Sequence, residues 1–169
     1  IGSEHLNAVL DIGEASNGAP MIVMDLLIGK TLTTLMLERG PMDPREIAPI
    51  AIDLLTGLDA AHRAGIIHRD VKPSNIFLAE REGRTPLVKL IDFGVSKFNE
   101  PGTGPETQEG AVLGTPFYMA PEQARGVSDI DGRADLYSVG VVLYQAVTGR
   151  VPFHAATFNE LIFKIAIET

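Results

Sequence analysis

Apolar residues recur along this chain with spacings that change at identifiable points. Val9-Leu10-Asp11-Ile12 and Met21-Ile22-Val23-Met24 are short blocks, separated by Gly13 and by Ser16-Asn17-Gly18-Ala19-Pro20. Blocks of that length bounded by turn residues predict two strands joined as a hairpin, with Asp25-Leu26-Leu27-Ile28 as a linker to Gly29. From Asp43 the period becomes helical, with Ile47, Ile50, Leu54, Leu58 and Ala61 at steps of three and four. Asp43 is the expected N-cap, Pro44 fits the first turn, Glu46 completes a capping box and Gly65 is placed to end the helix. Pro49 predicts either a late start or a local kink. Ile76-Phe77-Leu78 and Leu87-Val88-Lys89-Leu90-Ile91 predict strands, with Glu80 to Pro86 as the turn between them. Residues 99–110 hold Pro101, Gly102, Gly104, Pro105 and Gly110 and predict a loop. Ala134 to Thr148 predicts a helix whose Leu136, Val139, Val142, Leu143, Ala146 and Val147 leave little polar face. That makes it a central core element rather than a cofactor-binding stripe. Phe158 to Ile167 again has helical spacing. Strands come first and helices dominate later, which is an α+β arrangement.

Composition narrows the function classes. At 169 residues, 45% apolar and 21% charged, the chain can bury a core as one compact domain, and wholesale disorder is excluded. A net charge of -8 argues against a general nucleic-acid or anionic-membrane binder, while leaving room for a local phosphate site. The absence of cysteine removes disulfide, Cys-zinc and thiol chemistry. No apolar run approaches the roughly 20 residues of a membrane span, since Val139 to Val147 is short and broken by Gly140 and Gln145. Ile1-Gly2-Ser3-Glu4-His5 does not read as a signal peptide. Because the chain opens on Ile rather than Met, it is expected to be part of a longer protein, with sequence lost at both ends. His5, His62 and His154 show no metal-ligand spacing and are expected to be surface or packing residues. Gly102-Thr103-Gly104 lacks the strand-then-helix context of a phosphate loop.

The chemistry concentrates in His68-Arg69-Asp70-Val71-Lys72-Pro73-Ser74-Asn75, between a long helix and a short strand. Phosphoryl transfer needs a carboxylate to orient the acceptor hydroxyl, a cation to neutralise phosphate oxygens, and oxygen ligands for Mg²⁺. The octapeptide holds one of each. Asp92-Phe93-Gly94 follows directly after a predicted strand, and a carboxylate there beside a flexible Gly suits a hard cation.

These residues, with Ala120-Pro121-Glu122, resemble the catalytic loop, metal loop and activation-segment end of protein kinases. Gly114-Thr115-Pro116-Phe117-Tyr118-Met119 is similar to the substrate-docking loop. Asp131-Gly132-Arg133-Ala134-Asp135-Leu136-Tyr137-Ser138-Val139-Gly140 is similar to the start of the buried central helix. The wording is nearest to bacterial eukaryotic-like serine/threonine kinases. The resemblance implies a protein kinase-like α+β fold: residues 1–27 as the two-strand end of the small lobe, and 28–169 as the hinge and a large lobe truncated at its C-terminal end. It implies that Asp70 orients the substrate hydroxyl, Lys72 steadies the transferring phosphate, and Asn75 and Asp92 hold Mg²⁺, or Mn²⁺ in its place, on ATP. Adenine would lie against Phe77 and the hinge near Asp25 and Leu27, with Met24 as gatekeeper. Asp135 would brace the loop through backbone N–H groups around His68 and Arg69, and Thr115 would bond near Asp70 and Lys72. His68 and Phe93, beside Gly94, would stack in the regulatory spine together with Val9. Arg69 and Lys97 would receive a phosphorylated Thr107, or Thr103, beside the fixed charge of Glu109. Glu122 would pair with an Arg beyond Thr169.

Lys72 and Gly114-Thr115-Pro116 point to Ser/Thr rather than Tyr acceptors, and Ala-Pro-Glu to protein rather than small-molecule substrates. The implied partners are Ser/Thr-containing proteins and a kinase dimer for activation-loop phosphorylation, with no nucleic acid. The implied compartment is cytoplasmic, with a membrane anchor, where relatives have one, outside this chain. The sequence departs from the family in holding no Gly-x-Gly-x-x-Gly loop, no Val-Ala-Ile-Lys strand and no helix Glu to pair with that Lys. As given, it is therefore expected to bind ATP weakly and be inactive alone. A non-catalytic pseudokinase or scaffold is the alternative reading.

Overall fold

The computed structural model describes residues 2–93 and 116–167. β1 (Val9–Glu14) and β2 (Pro20–Met24) form the expected antiparallel hairpin, with a bulge between Val9 and Asp11. Gly18, at φ 82°, closes its turn, and every residue of both strands is exposed. A two-stranded ribbon with both faces in water is only marginally stable on its own.

A second sheet has the order β3 (Gly29–Thr31), β4 (Ile76–Ala79), β5 (Leu87–Leu90), antiparallel throughout. β3 was not expected, since three residues are too few to display a period. Gly29 is required there: at φ 144°, a Cβ would stand 2.1 Å from the Leu78 carbonyl oxygen. The N-terminal segment adds a parallel bridge to β5. Leu90 N–H donates to His5 O at 2.8 Å and Asn7 N–H to Leu90 O at 3.1 Å, with Leu6 buried beneath. Gly57 allows this approach, because a Cβ would meet His5 at 3.1 Å.

Between the sheets' strands run α1 (Leu32–Arg39) and α2 (Pro44–Arg63). α1 escaped the pattern reading because only Leu32 is fully buried and Leu37 faces water, so its stripe is weak. Its signals were nonetheless present: Thr31 Oγ1 caps Thr34 N–H, and Gly40 follows the last turn. α2 starts at Pro44, so the late start does not occur, and it runs through Pro49, whose nitrogen has no hydrogen to give the Arg45 carbonyl. The reciprocal capping box is not formed either. Asp43 Oδ1 accepts from Arg45 N–H at 2.7 Å, while Glu46 turns to Arg39 at 3.3 Å, where it finds an opposite charge. Gly65 ends the helix as expected, φ 74°, with Ile66 N–H bonded to Ala61 O and Gly65 N–H to His62 O.

A 3-10 turn (Pro73–Asn75) leads into β4, and α3 (Pro121–Ala124) is a single turn. α4 (Arg133–Thr148) buries Ala134, Asp135, Ser138, Val139, Val141, Val142 and Ala146, but Leu136 is half exposed, so its surround is less complete than its composition predicts. α5 (Phe158–Ile167) buries Leu161 and Ile165 and packs on α3. Leu32, Leu54, Leu58, Val71, Ile76, Leu90, Val139 and Val142 join α1, α2, α4 and the second sheet into one core. No helix among the described residues is long and apolar enough to cross a membrane.

Candidate active site

Residues 64–75 leave α2 and return to β4 as a loop whose anchors are mostly buried. Val71 is driven into the core, fixing the chain between the polar residues on either side of it. Asn75 is nearly buried and its amide does the folding work. Asn75 Nδ2 donates to Asp70 O at 2.9 Å and to Asp70 Oδ2 at 3.2 Å, and Asn75 N–H donates to Lys72 O at 2.9 Å. Lys72 Nζ donates to the same Asp70 Oδ2 at 2.8 Å. The Asp70 carboxylate thus receives a cation and an amide, while remaining accessible from solvent.

The sheet brings the end of β5, just before Asp92, to this cluster. Ile76 pairs with Leu90, and Ile91 N–H donates to Asn75 O at 3.0 Å, so the end of β5 lies directly beside Asn75. Asp92 follows at φ 54°, an unusual conformation for a residue with a side chain, and is exposed. Asn75 Nδ2 is committed to Asp70. Asn75 Oδ1 has only Ser74 Oγ at 3.5 Å and remains a usable oxygen.

His68 stitches the two segments together. It is completely buried, with Nε2 at 3.1 Å from Ile91 O and Nδ1 accepting from Asp70 N–H at 3.3 Å. A carbonyl can only accept, so the proton sits on Nε2 and the ring is neutral. Desolvation lowers the His68 pKa below 6.5, against the opposing pull of the Ile91 carbonyl and the Asp135 and Asp70 charges. The His68 ring also lies against Phe93, centroids 4.6 Å apart.

Asp135, at the start of α4, is fully buried beneath the loop. Its carboxylate accepts from His68 N–H at 2.9 Å, Arg69 N–H at 2.8 Å and His62 Nε2 at 2.7 Å. Arg69 has φ 63°, a conformation costly for a non-glycine residue unless its surroundings fix it. His62 packs, as one of the expected alternatives, but it is also a partner of Asp135. Its ring lies over Gly132, where a Cβ would stand 2.6 Å from Nδ1. Nothing local in the sequence linked Asp135 to a residue 73 positions earlier. Gln123 was also missed. Its Oε1 accepts from Ala120 N–H at 3.0 Å and its Nε2 donates to Arg69 O at 3.1 Å.

The other expected residues are distributed as follows. Met24 and Asp25 are exposed at the end of the hairpin, and Leu27 is half-buried in the linker. Phe77 is half-buried in β4, opposite Thr31 and beside Gly29. Val9 does not join His68 and Phe93 in a buried stack: 55% exposed, it belongs to the uncovered hairpin. Glu122 is half-buried in α3. Desolvation, and then the Glu122 charge, push the Tyr137 pKa up. Gly94, Lys97, Thr103, Thr107, Glu109 and Thr115 lie outside the described residues. No cluster of three or more His, Asp or Glu side chains suited to a metal occurs among the described residues.

Comparison with known proteins agrees in scale and region. A family model described as "Protein kinase domain" matches residues 4–168. Serine/threonine-protein kinase pkn3 of Myxococcus xanthus is 44% identical over 150 residues, 88% of this chain and 27% of that protein. Serine/threonine-protein kinase Pkn1 of the same organism is 42% identical over 154 residues, 91% of this chain and 22% of its own length. Serine/threonine-protein kinase PknB of Mycobacterium tuberculosis is 44% identical over 149 residues, 86% of this chain and 23% of its own length. The chain spans about a quarter of the length of these relatives.

Proposed function

The chain belongs to the protein kinase domain family, and we propose that it supplies the phosphoryl-transfer site of a bacterial serine/threonine protein kinase. The reaction is transfer of the ATP γ-phosphate to Ser or Thr hydroxyls of proteins. The observation that carries this reading is the Asp70–Lys72–Asn75 cluster, with the end of β5 hydrogen-bonded alongside it. Asp70, accessible and held by two donors, orients the hydroxyl and takes up its proton as the new P–O bond forms. Lys72 is a cation on a long side chain, 2.8 Å from Asp70 Oδ2 and suited to neutralise the transferring phosphate. Asn75 and Asp92 would hold the divalent ion, Mg²⁺ or Mn²⁺, which when bound neutralises charge on the nucleotide phosphates. Protein kinases use ATP and a divalent metal in general. The assignment of adenine to Phe77, Met24, Asp25 and Leu27, and of residues 1–27 and 28–169 to the small and large lobes, belongs to the same proposal.

A pure scaffold has no chemical need for a carboxylate, a lysine and an amide bonded in one cluster, and the similar proteins are named as kinases. The experiment is γ-phosphate transfer from labelled ATP to a generic protein, comparing the full-length protein with its Asp70→Asn variant. We expect the variant to lose at least about 100-fold in rate, the usual scale for a positioned acid–base group. Equal rates would remove Asp70 from this role.

A further inference from the structure

Arg69 sits between two peptide planes, and each is held by a side chain from a different element. Asp135 of α4 takes the N–H on the N-terminal side at 2.8 Å. Gln123 of α3 takes the carbonyl on the C-terminal side at 3.1 Å, and that carbonyl is the oxygen of the Arg69–Asp70 peptide. The same Gln123 amide is tied at its other end to Ala120 N–H at 3.0 Å. With φ of 63°, Arg69 lies where a residue bearing a Cβ pays in strain, so its peptides turn over readily once their restraints go. A turn of the Arg69–Asp70 plane also carries away the Asp70 N–H, which His68 Nδ1 accepts at 3.3 Å, and the base of the Asp70 side chain.

We propose that Gln123 is a positioning residue for phosphoryl transfer, its amide clamping the Arg69–Asp70 peptide to the start of α3 so that Asp70 faces the acceptor hydroxyl only while residues 120–124 are docked. This rests on the reading of Asp70 given above. The chemistry is specific to an amide. One end must accept from Ala120 N–H while the other donates to a carbonyl, which neither a carboxylate nor an alkyl group can do together.

The test uses the full-length protein and three versions of residue 123. Gln123→Glu keeps the acceptor for Ala120 and exchanges the donor for an oxygen facing the Arg69 carbonyl. If Gln123 merely caps the turn, Gln123→Glu transfers phosphate like the wild type. If it positions Asp70, kcat falls about tenfold while the KM for ATP and the melting temperature stay near the wild-type values. Gln123→Leu, which removes both bonds without adding charge, shows the same fall in kcat and carries the test should the Glu variant fail to fold. Wild-type kcat in either variant, or a loss confined to the KM for ATP, overturns the proposal. A wild-type protein that transfers no phosphate strikes at the function itself rather than at Gln123.

Discussion

The hairpin of residues 9–24 and the loop of residues 68–75 use the chain in opposite ways. The hairpin is rich in Val, Leu, Ile and Met yet leaves them in water, Ile12 at 72% and Leu10 at 63% exposure. The loop is rich in polar and charged groups yet buries His68, Val71 and Asn75 almost entirely. Sequence hydropathy alone would invert this order. What decides burial is the number of tertiary partners. Among the described residues the hairpin's strands pair with each other, while the loop is bonded by Asp135, itself held by His62, and by Gln123 and the end of β5. Polar groups can be buried so long as every donor finds an acceptor, and here they fix one geometry around a strained backbone.

The contrast breaks most sharply at Asp135. Replacing it with Ala strands the buried N–H of His68 and the part-buried N–H of Arg69 and removes the partner of His62. We expect a loss of about 4 kcal/mol in unfolding free energy, measured by denaturant titration. A loss below about 1 kcal/mol would mean that the loop is held by something other than this carboxylate.

A smaller effect follows from His68. Its neutral form is favoured by burial, so its folded pKa lies below the unfolded value of 6.5. The stabilisation is fully present above pH 6.5 and is lost as the pH falls through the folded value, because the unfolded chain takes up the proton first. Melting temperatures followed from pH 7.5 to 5 should decline below 6.5, and the decline should be shallower in His68→Gln. Identical pH profiles would show that His68 does not carry the acid sensitivity.

At the small end stands the hairpin. Ile12→Ser should change stability by no more than about 0.5 kcal/mol, as for other exposed positions. A larger loss in a thermal melt would show that the hairpin packs on a surface, and would narrow the difference between the two regions.

The same contrast explains what the sequence made legible. α2, α4 and α5 were readable because each has a repeating apolar stripe, and β4 and β5 because short apolar runs are bounded by turn residues. β3 and α1 were not, because a three-residue strand has no period and α1 has one fully buried residue in eight. The cluster of Asp70, Lys72 and Asn75 is local in sequence and could be read directly. The braces are not local: His62 meets Asp135, and Gln123 meets Arg69, only because α2, α3 and α4 pack around the loop. Long-range hydrogen bonds leave no spacing to read. Val9 shows a different error: the family resemblance implied a stacked partner for His68 and Phe93, and the exposed hairpin does not supply it.

The most direct measurement is a double-mutant cycle on metal-dependent phosphate transfer, using Asn75→Ala, Asp92→Ala and both together in the full-length protein. If the two oxygens serve one ion, each single change costs at least about 100-fold, and the pair costs little more than the worse of the two, as for residues acting as a unit. Losses that simply multiply would place the two side chains at independent sites and contradict the account.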